Sequence, residues 1–168
     1  TFRFIPDAAA QATALLAGDV DAFPRIGVRS VAQFQSDPRF QVLISGSRAK
    51  TILSINNSRP PLNDVRVRRA LAAAIDRQAV ITGAAEGFGV PIGSHYTPNA
   101  PGYIDTTGIN PFNPERARQL LQEAGVTLPL KLHMTLPPTP YARQGGEVIA
   151  AQLAQVGVQV QLINVEWA

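Results

Sequence analysis

The sequence predicts an α/β fold, a mixed sheet flanked by helices, and two observations carry that expectation. Three times a helical pattern runs through a glycine into an alternating or apolar strand-like run, and the 14 prolines and 13 glycines fall between apolar runs, where elements end. A chain of 168 residues, 45% apolar and 16% charged, has room for one ordinary domain with its own core, so a single α/β domain spanning residues 1–168 is expected.

Taken in order, Thr1-Phe2-Arg3-Phe4-Ile5 alternates and reads as a strand. A helix over residues 7–17 places Ala12, Leu15 and Leu16 on one side, stops at Gly18 and leads into a strand-like 20–23. Ser30-Val31-Ala32-Gln33 has capping-box spacing, and Asp37-Pro38 ends the short helix it would start. Two β-rich runs, 40–44 and 51–55, read as neighbouring strands across Ser45-Gly46-Ser47. Asn63 or Asp64 caps a helix over 65–75 whose inward stripe is Val67, Ala70, Leu71, Ala74 and Ile75, and a shorter helix over 77–85 follows.

Residues 87–113 show no period and carry Pro91, Gly93, Pro98, Pro101, Gly102, Gly108 and Pro111. A loop this long inside a domain is uncommon and tends to be functional, which makes it a candidate wall of a binding site. Asn113 and Pro114 open a helix that ends at Gly125, and residues 130–136 follow as a strand. The last helix, over 141–156, aligns Ile149, Ala150, Leu153 and Val156 and ends at Gly157; the strand 158–162 then alternates so strictly that one face should be buried and the other wet.

No apolar run approaches the roughly 18 residues that a membrane-spanning helix needs, and the absence of cysteine removes disulfides, thiolate metal sites and a Cys nucleophile. The net charge of +3 rests on basic residues spread along the chain. They cluster at Arg66, Arg68 and Arg69, where a solvated helix face is a simpler reading than a nucleic-acid surface, because no aromatic or second basic segment joins them. The motifs GxSxG, P-loop, GxGxxG and HExxH are absent, and Gly87-Phe88-Gly89 leads into Val90-Pro91, which cannot start a phosphate-cradling helix.

His95 and His133 each lack a second ligand-type residue at metal spacing, so no metal site is expected. His133 fits a strand as a core or face-exposed histidine, whereas His95, between Ser94 and Tyr96 in the long loop, is a candidate ligand contact. Asp19 and Asp21 read as solvated turn residues and Asp64 as a helix cap. Neither catalytic residues nor a cofactor are expected, and an α/β enzyme of unknown reaction is the reading from another class.

The stretch from Ile55 to Arg77 contains Asn56-Asn57, the Pro60-Pro61 turn, Asp64-Val65-Arg66-Val67-Arg68-Arg69-Ala70-Leu71 and Ala74-Ile75-Asp76-Arg77. It resembles a signature of the family 5 extracellular solute-binding proteins, in which a strand, a turn and a capped helix follow in that order. Ala17-Gly18-Asp19-Val20-Asp21-Ala22, Tyr96-Thr97-Pro98, the segment 114–125, and Gly157-Val158-Gln159-Val160 through Glu166-Trp167 are similar to further family patterns, so the resemblance covers nearly the whole chain.

That resemblance implies one lobe of a type II periplasmic-binding-protein-like fold, the bulk of the second lobe of a longer protein. The first lobe, the hinge crossings, a signal peptide and the segment after Glu166-Trp167 would lie outside this chain. It implies the substrate-binding component of an ABC importer, periplasmic or, in a Gram-positive host, extracellular and membrane-anchored. The partners would be a peptide or other small solute and the permease subunits, with no nucleic acid, and the protein would be a monomer. Nickel chelates, haem, opines and sugars are the non-peptide alternatives within the family. Trp167, a plate with an N–H donor, and Tyr141, at the start of the last helix, align with pocket positions. Tyr96, His95, Phe23 and Arg25 join them as candidate ligand contacts, from their places in the long loop or at a strand end.

Overall fold

The computed structural model describes residues 1–166 and groups the chain into two compact units, Thr1–Ser45 and Gly46–Ala168, where the sequence reading treats it as one lobe.

In the first unit, helix α1 (Ala8–Ala17) starts at Asp7, whose carboxylate accepts the Ala10 N–H at 2.7 Å, and ends at Gly18 in the left-handed conformation. Its buried residues are Ala12 and Ala14, while Leu15 and Leu16 are only half-buried, so the inward stripe is rotated from the expected one. A 3₁₀ turn (Val28–Ser30) runs straight into helix α2 (Val31–Gln35). Ser30 therefore has helical dihedrals (φ −90°, ψ −9°) and makes no side-chain cap, and the expected capping box does not form, because a capping hydroxyl reaches the first-turn N–H groups from extended backbone. Phe34, only 1% exposed, anchors this unit and meets Phe40 edge-to-face at 4.9 Å.

Four segments expected as strands, 1–5, 20–23, 40–44 and 51–55, form no ladder. Phe2, Phe4 and Leu43 stand almost fully exposed. β-Propensity expresses a fit to a half-buried pleated surface, and only a neighbour that exchanges N–H and C=O groups completes the strand.

In the second unit, helix α3 (Val65–Ala73) is capped by Asp64 and helix α4 (Arg77–Ala85) by Asp76, which accepts from the Gln78 and Ala79 N–H groups. Helix α5 (Pro114–Glu123) is capped by Asn113. Strand β1 (Leu130–Leu136), helix α6 (Pro140–Ala154) and strand β2 (Val158–Asn164) then form one parallel crossover unit, with Leu130 opposite Val158 and Leu136 opposite Asn164. The turn from α6 into β2 requires Gly157 at φ 84°, a region that side chains with a Cβ avoid.

The core gathers Val67, Ala70 and Leu71 of α3, Ala117, Leu120 and Leu121 of α5, Leu130 and Val158 of the strands, and Leu153 and Val156 around the end of α6. Along both strands the burial alternates, with Leu132, Met134, Val160 and Leu162 turned to the covered side and Lys131, His133, Gln159 and Gln161 to the open one. His133 thus lies on the open strand face, the second of the two places its strand position allows.

Candidate functional site

In a parallel β-α-β unit the helix returns the chain to the same end, so the carboxyl ends of both strands and the start of the helix lie together. Ligands of open α/β sheets bind outside those carboxyl ends. Here that edge consists of Leu136, the loop Pro137-Pro138-Thr139, the first turn of α6, and Val165 and Glu166 beyond β2. The Val165 N–H donates to the Leu136 carbonyl at 3.0 Å, which carries the ladder one residue past β2.

Thr139 stands at the helix N-terminus with extended backbone (φ −116°, ψ 142°), and its carbonyl accepts the Ala142 and Arg143 N–H groups at 3.1 Å each. Its side chain makes no capping bond; Oγ1 is buried and has no partner. The first turn of α6 holds no acidic residue, so its positive dipole end is not neutralised from within the turn. Tyr141, 48% exposed, projects from that turn, and the Arg143 guanidinium reaches Glu166 at 3.6 Å. An uncapped helix start, a buried hydroxyl in want of a partner and an accessible phenol together can hold a polar or anionic group of a ligand.

The closeness of α6 to β1 has a local cause. A Cβ built at Gly146 would sit 2.8 Å from both Leu136 methyl groups, so a larger residue would push the helix start away from the strand end. Gly145, one residue earlier, faces Val80 and Ala84 of α4 at ordinary contact distances.

The remaining candidates are dispersed. His95 and Tyr96 lie exposed in the loop 87–113, where the Tyr96 N–H donates to Ser94 Oγ at 3.3 Å. Beside them Thr97 is buried with an unpartnered hydroxyl. The loop forms no helix or strand, yet it is tied down. Arg77 donates to the Asn110 carbonyl at 3.2 Å, the Asn113 N–H donates to the Ala73 carbonyl at 2.7 Å, and a Cβ on Gly93 would collide with the backbone of Thr106 and Thr107. Phe23, half-buried, and Arg25, exposed, belong to the first unit. Trp167 lies outside the described residues. Among the described residues, no hydrogen bond or ring contact joins His95, Tyr96 and Tyr141 to one another. Sequence reasoning missed Thr139, which reads as an ordinary turn residue between prolines; the signal that could have found it is its place one residue before a proline at a helix start, at the end of a strand.

Three arginines of the second unit bond backbone carbonyls at helix ends and turns. Arg66 bonds the Asp64 carboxylate and the Glu123 carbonyl, Arg68 the Leu62 and Asn63 carbonyls, and Arg118 the Gln155 carbonyl at the end of α6. These bonds satisfy carbonyls that helix ends and turns leave open, and Arg66 and Arg68 of the basic cluster both take part in them. The hydrogen-bonded Arg66 guanidinium holds the Asp64 carboxyl below the usual carboxylate range. A shallow groove of about 530 Å³, lined by residues that include Arg118, Leu128 and Val156, opens at the amino ends of the strands, the opposite end of the unit from Thr139.

Comparison with known proteins agrees with the resemblance seen in the sequence. The family model described as bacterial extracellular solute-binding proteins, family 5 Middle, matches residues 1–168. The chain is 30% identical to Heme-binding protein A of Haemophilus influenzae, covering 98% of this chain and 31% of that protein. It is likewise 30% identical to the Dipeptide-binding protein of Escherichia coli, over 99% of this chain and 32% of that one. Among solved structures, the periplasmic binding protein DppA from Helicobacter pylori in complex with peptide STSA superposes with a TM-score of 0.83 at 26% identity, over 98% of this chain and 32% of that one. The chain therefore spans about a third of the length of the curated relatives it matches.

Proposed function

From the premise that this chain belongs to the bacterial extracellular solute-binding proteins of family 5, we propose that residues 1–168 form most of one lobe of a two-lobed protein that binds peptides for an ABC importer. One observation supports the peptide reading from within the chain: the uncapped N-terminus of α6, with the unpartnered Thr139 hydroxyl and the accessible Tyr141, at the carboxyl edge of β1 and β2. A helix start of this kind favours a negative hydrogen-bond acceptor, and a peptide's terminal carboxylate is one. His95, Tyr96 and Trp167 would add contacts from the long loop and from the residues that follow β2. The opposite lobe would supply the rest, closing over the ligand because the closed state alone makes both sets of contacts.

Broad selection would follow from gripping the peptide backbone and leaving hydrated space around its side chains. The site would lie outside the cytoplasmic membrane, and the closed protein would deliver its peptide to the permease. Among the described residues, no helix is long and apolar enough to cross a membrane.

A second reading, binding of haem or a nickel chelate, is favoured by the names of relatives at similar identity, Heme-binding protein A and the Nickel-binding periplasmic protein of Escherichia coli. Isothermal titration of the full-length protein with di- and tripeptides, haemin and nickel chelates separates the readings. Peptide binding is expected, weakened in Thr139→Val by about tenfold, the effect of one hydrogen bond to a charged group. Saturable binding of haemin or a nickel chelate, with none of any peptide, would overturn it.

A further inference from the structure

We infer that Arg143 is a positioning residue, which fastens the segment following β2 to the first turn of α6 through Glu166 and so sets the geometry of the edge where Thr139 and Tyr141 lie. The inference rests on the peptide-site reading for its functional meaning, but its physical content stands on separate observations.

The backbone ladder between the strands carries as far as the bond from the Val165 N–H to the Leu136 carbonyl. One residue further, the contact passes to side chains, and Glu166 Oε1 lies 3.6 Å from Arg143 Nη2. Arg143 is an unexpected residue at its position. It follows Pro140, Tyr141 and Ala142 at the start of α6, where the helix dipole is positive and a cation is disfavoured, and that turn offers no acid of its own to offset it. Glu166 supplies the missing negative charge from another element. The pair therefore joins two parts of the edge, the helix start and the residue after Val165.

The pair is solvent-exposed, with side chains 49% and 82% accessible, so its effect is small in energy and its role is geometric. Arg66 and Arg118 are as exposed as Arg143 and differ from it in their partners, for they bond backbone carbonyls at 2.7 Å and 3.0 Å and hold helix ends.

The chain contains one tryptophan, Trp167, adjacent to Glu166, which gives a direct reporter in the 168-residue protein. Acrylamide quenching and fluorescence anisotropy of Trp167 would be measured for wild type, Arg143→Ala, Glu166→Gln, the double variant, Arg143→Lys and the charge swap Arg143→Glu with Glu166→Arg. Circular dichroism would verify that each is folded. The expected result is a shift in quenching and anisotropy away from wild type that is the same in sign and size in either single variant. The double variant should add nothing further, and Arg143→Lys and the charge swap should return the signal most of the way to the wild-type values. Unchanged quenching in folded Arg143→Ala, or additive single effects, would overturn the inference. In the full-length protein the same single variants should weaken peptide binding by a similar factor. If the fluorescence responds as expected and no peptide binds, the positioning role stands and the peptide reading fails, so the two are told apart.

Discussion

At the N-terminus of α3 the Asp64 carboxylate accepts the Arg66 N–H at 2.7 Å and the Arg66 guanidinium at 2.6–3.1 Å, while the same guanidinium donates to the Glu123 carbonyl at 2.7 Å. One acid thus caps one helix and, through Arg66, closes the end of α5. These bonds favour the ionised carboxylate, so its proton affinity is lower in the folded chain than in the unfolded one. The stability it contributes is complete above the unfolded value of about 3.9 and is lost as pH falls through the lower folded value. Asp64→Asn should therefore melt below wild type near neutral pH, with the gap closing as the solution is acidified below about pH 4. Melting curves across that range check it, and a gap that widens in acid would refute the assignment. Reading this residue from the sequence was straightforward, because a cap is a local arrangement of a side chain and the N–H groups two or three residues on. Thr139 was not legible in the same way. What sets it apart is the lack of a partner for its buried hydroxyl, and only packing reveals that.

At the scale of elements, the position of α6 depends on two adjacent glycines whose surroundings differ. A methyl at Gly145 meets Ala84 and Val80 at 3.8 and 3.9 Å, ordinary contact, whereas at Gly146 it meets both methyl groups of the buried Leu136 at 2.8 Å. Replacing a helical glycine by alanine gains about 1 kcal/mol of helix propensity, and overpacking a core loses about 1–3 kcal/mol. Gly145→Ala should accordingly raise the melting temperature by roughly 2–4 °C, while Gly146→Ala leaves it unchanged or lowers it and also displaces the loop that carries Thr139. If the two substitutions move stability in the same direction by the same amount, the packing account is wrong. Helices such as α3 and α5 could be placed from sequence because their caps and stripes lie within one segment, and β1 and β2 because their alternation is reinforced by the helix between them. The runs 40–44 and 51–55 have strand composition too, yet a ladder partner is a distant property that no local pattern encodes.

At the scale of the molecule, the two-stranded sheet and the exposed Phe2, Phe4, Leu43 and Ile52 have one consequence for binding. Parallel sheets are ordinarily covered on both faces and have more strands than two, and β-rich segments left unpaired exchange their amide protons freely. In a full-length protein of the length of the relatives, segments 1–5, 40–44 and 51–55 should gain hydrogen-exchange protection relative to the same segments in the 168-residue chain. Ligand affinity should follow the same division. A clamp binds tightly because the ligand contacts both halves while the cost of immobilising it arises only once, so a single lobe that offers half of the contacts still meets the whole of that cost. On the two-lobed peptide-binding reading proposed above, the 168-residue chain should bind any peptide held by the full-length protein at least about a hundredfold more weakly, a difference of roughly 2.7 kcal/mol. Calorimetry on both forms with the same peptide decides it. Equal affinities would mean that the site is complete within this chain, and closure of two lobes would then have no part in binding.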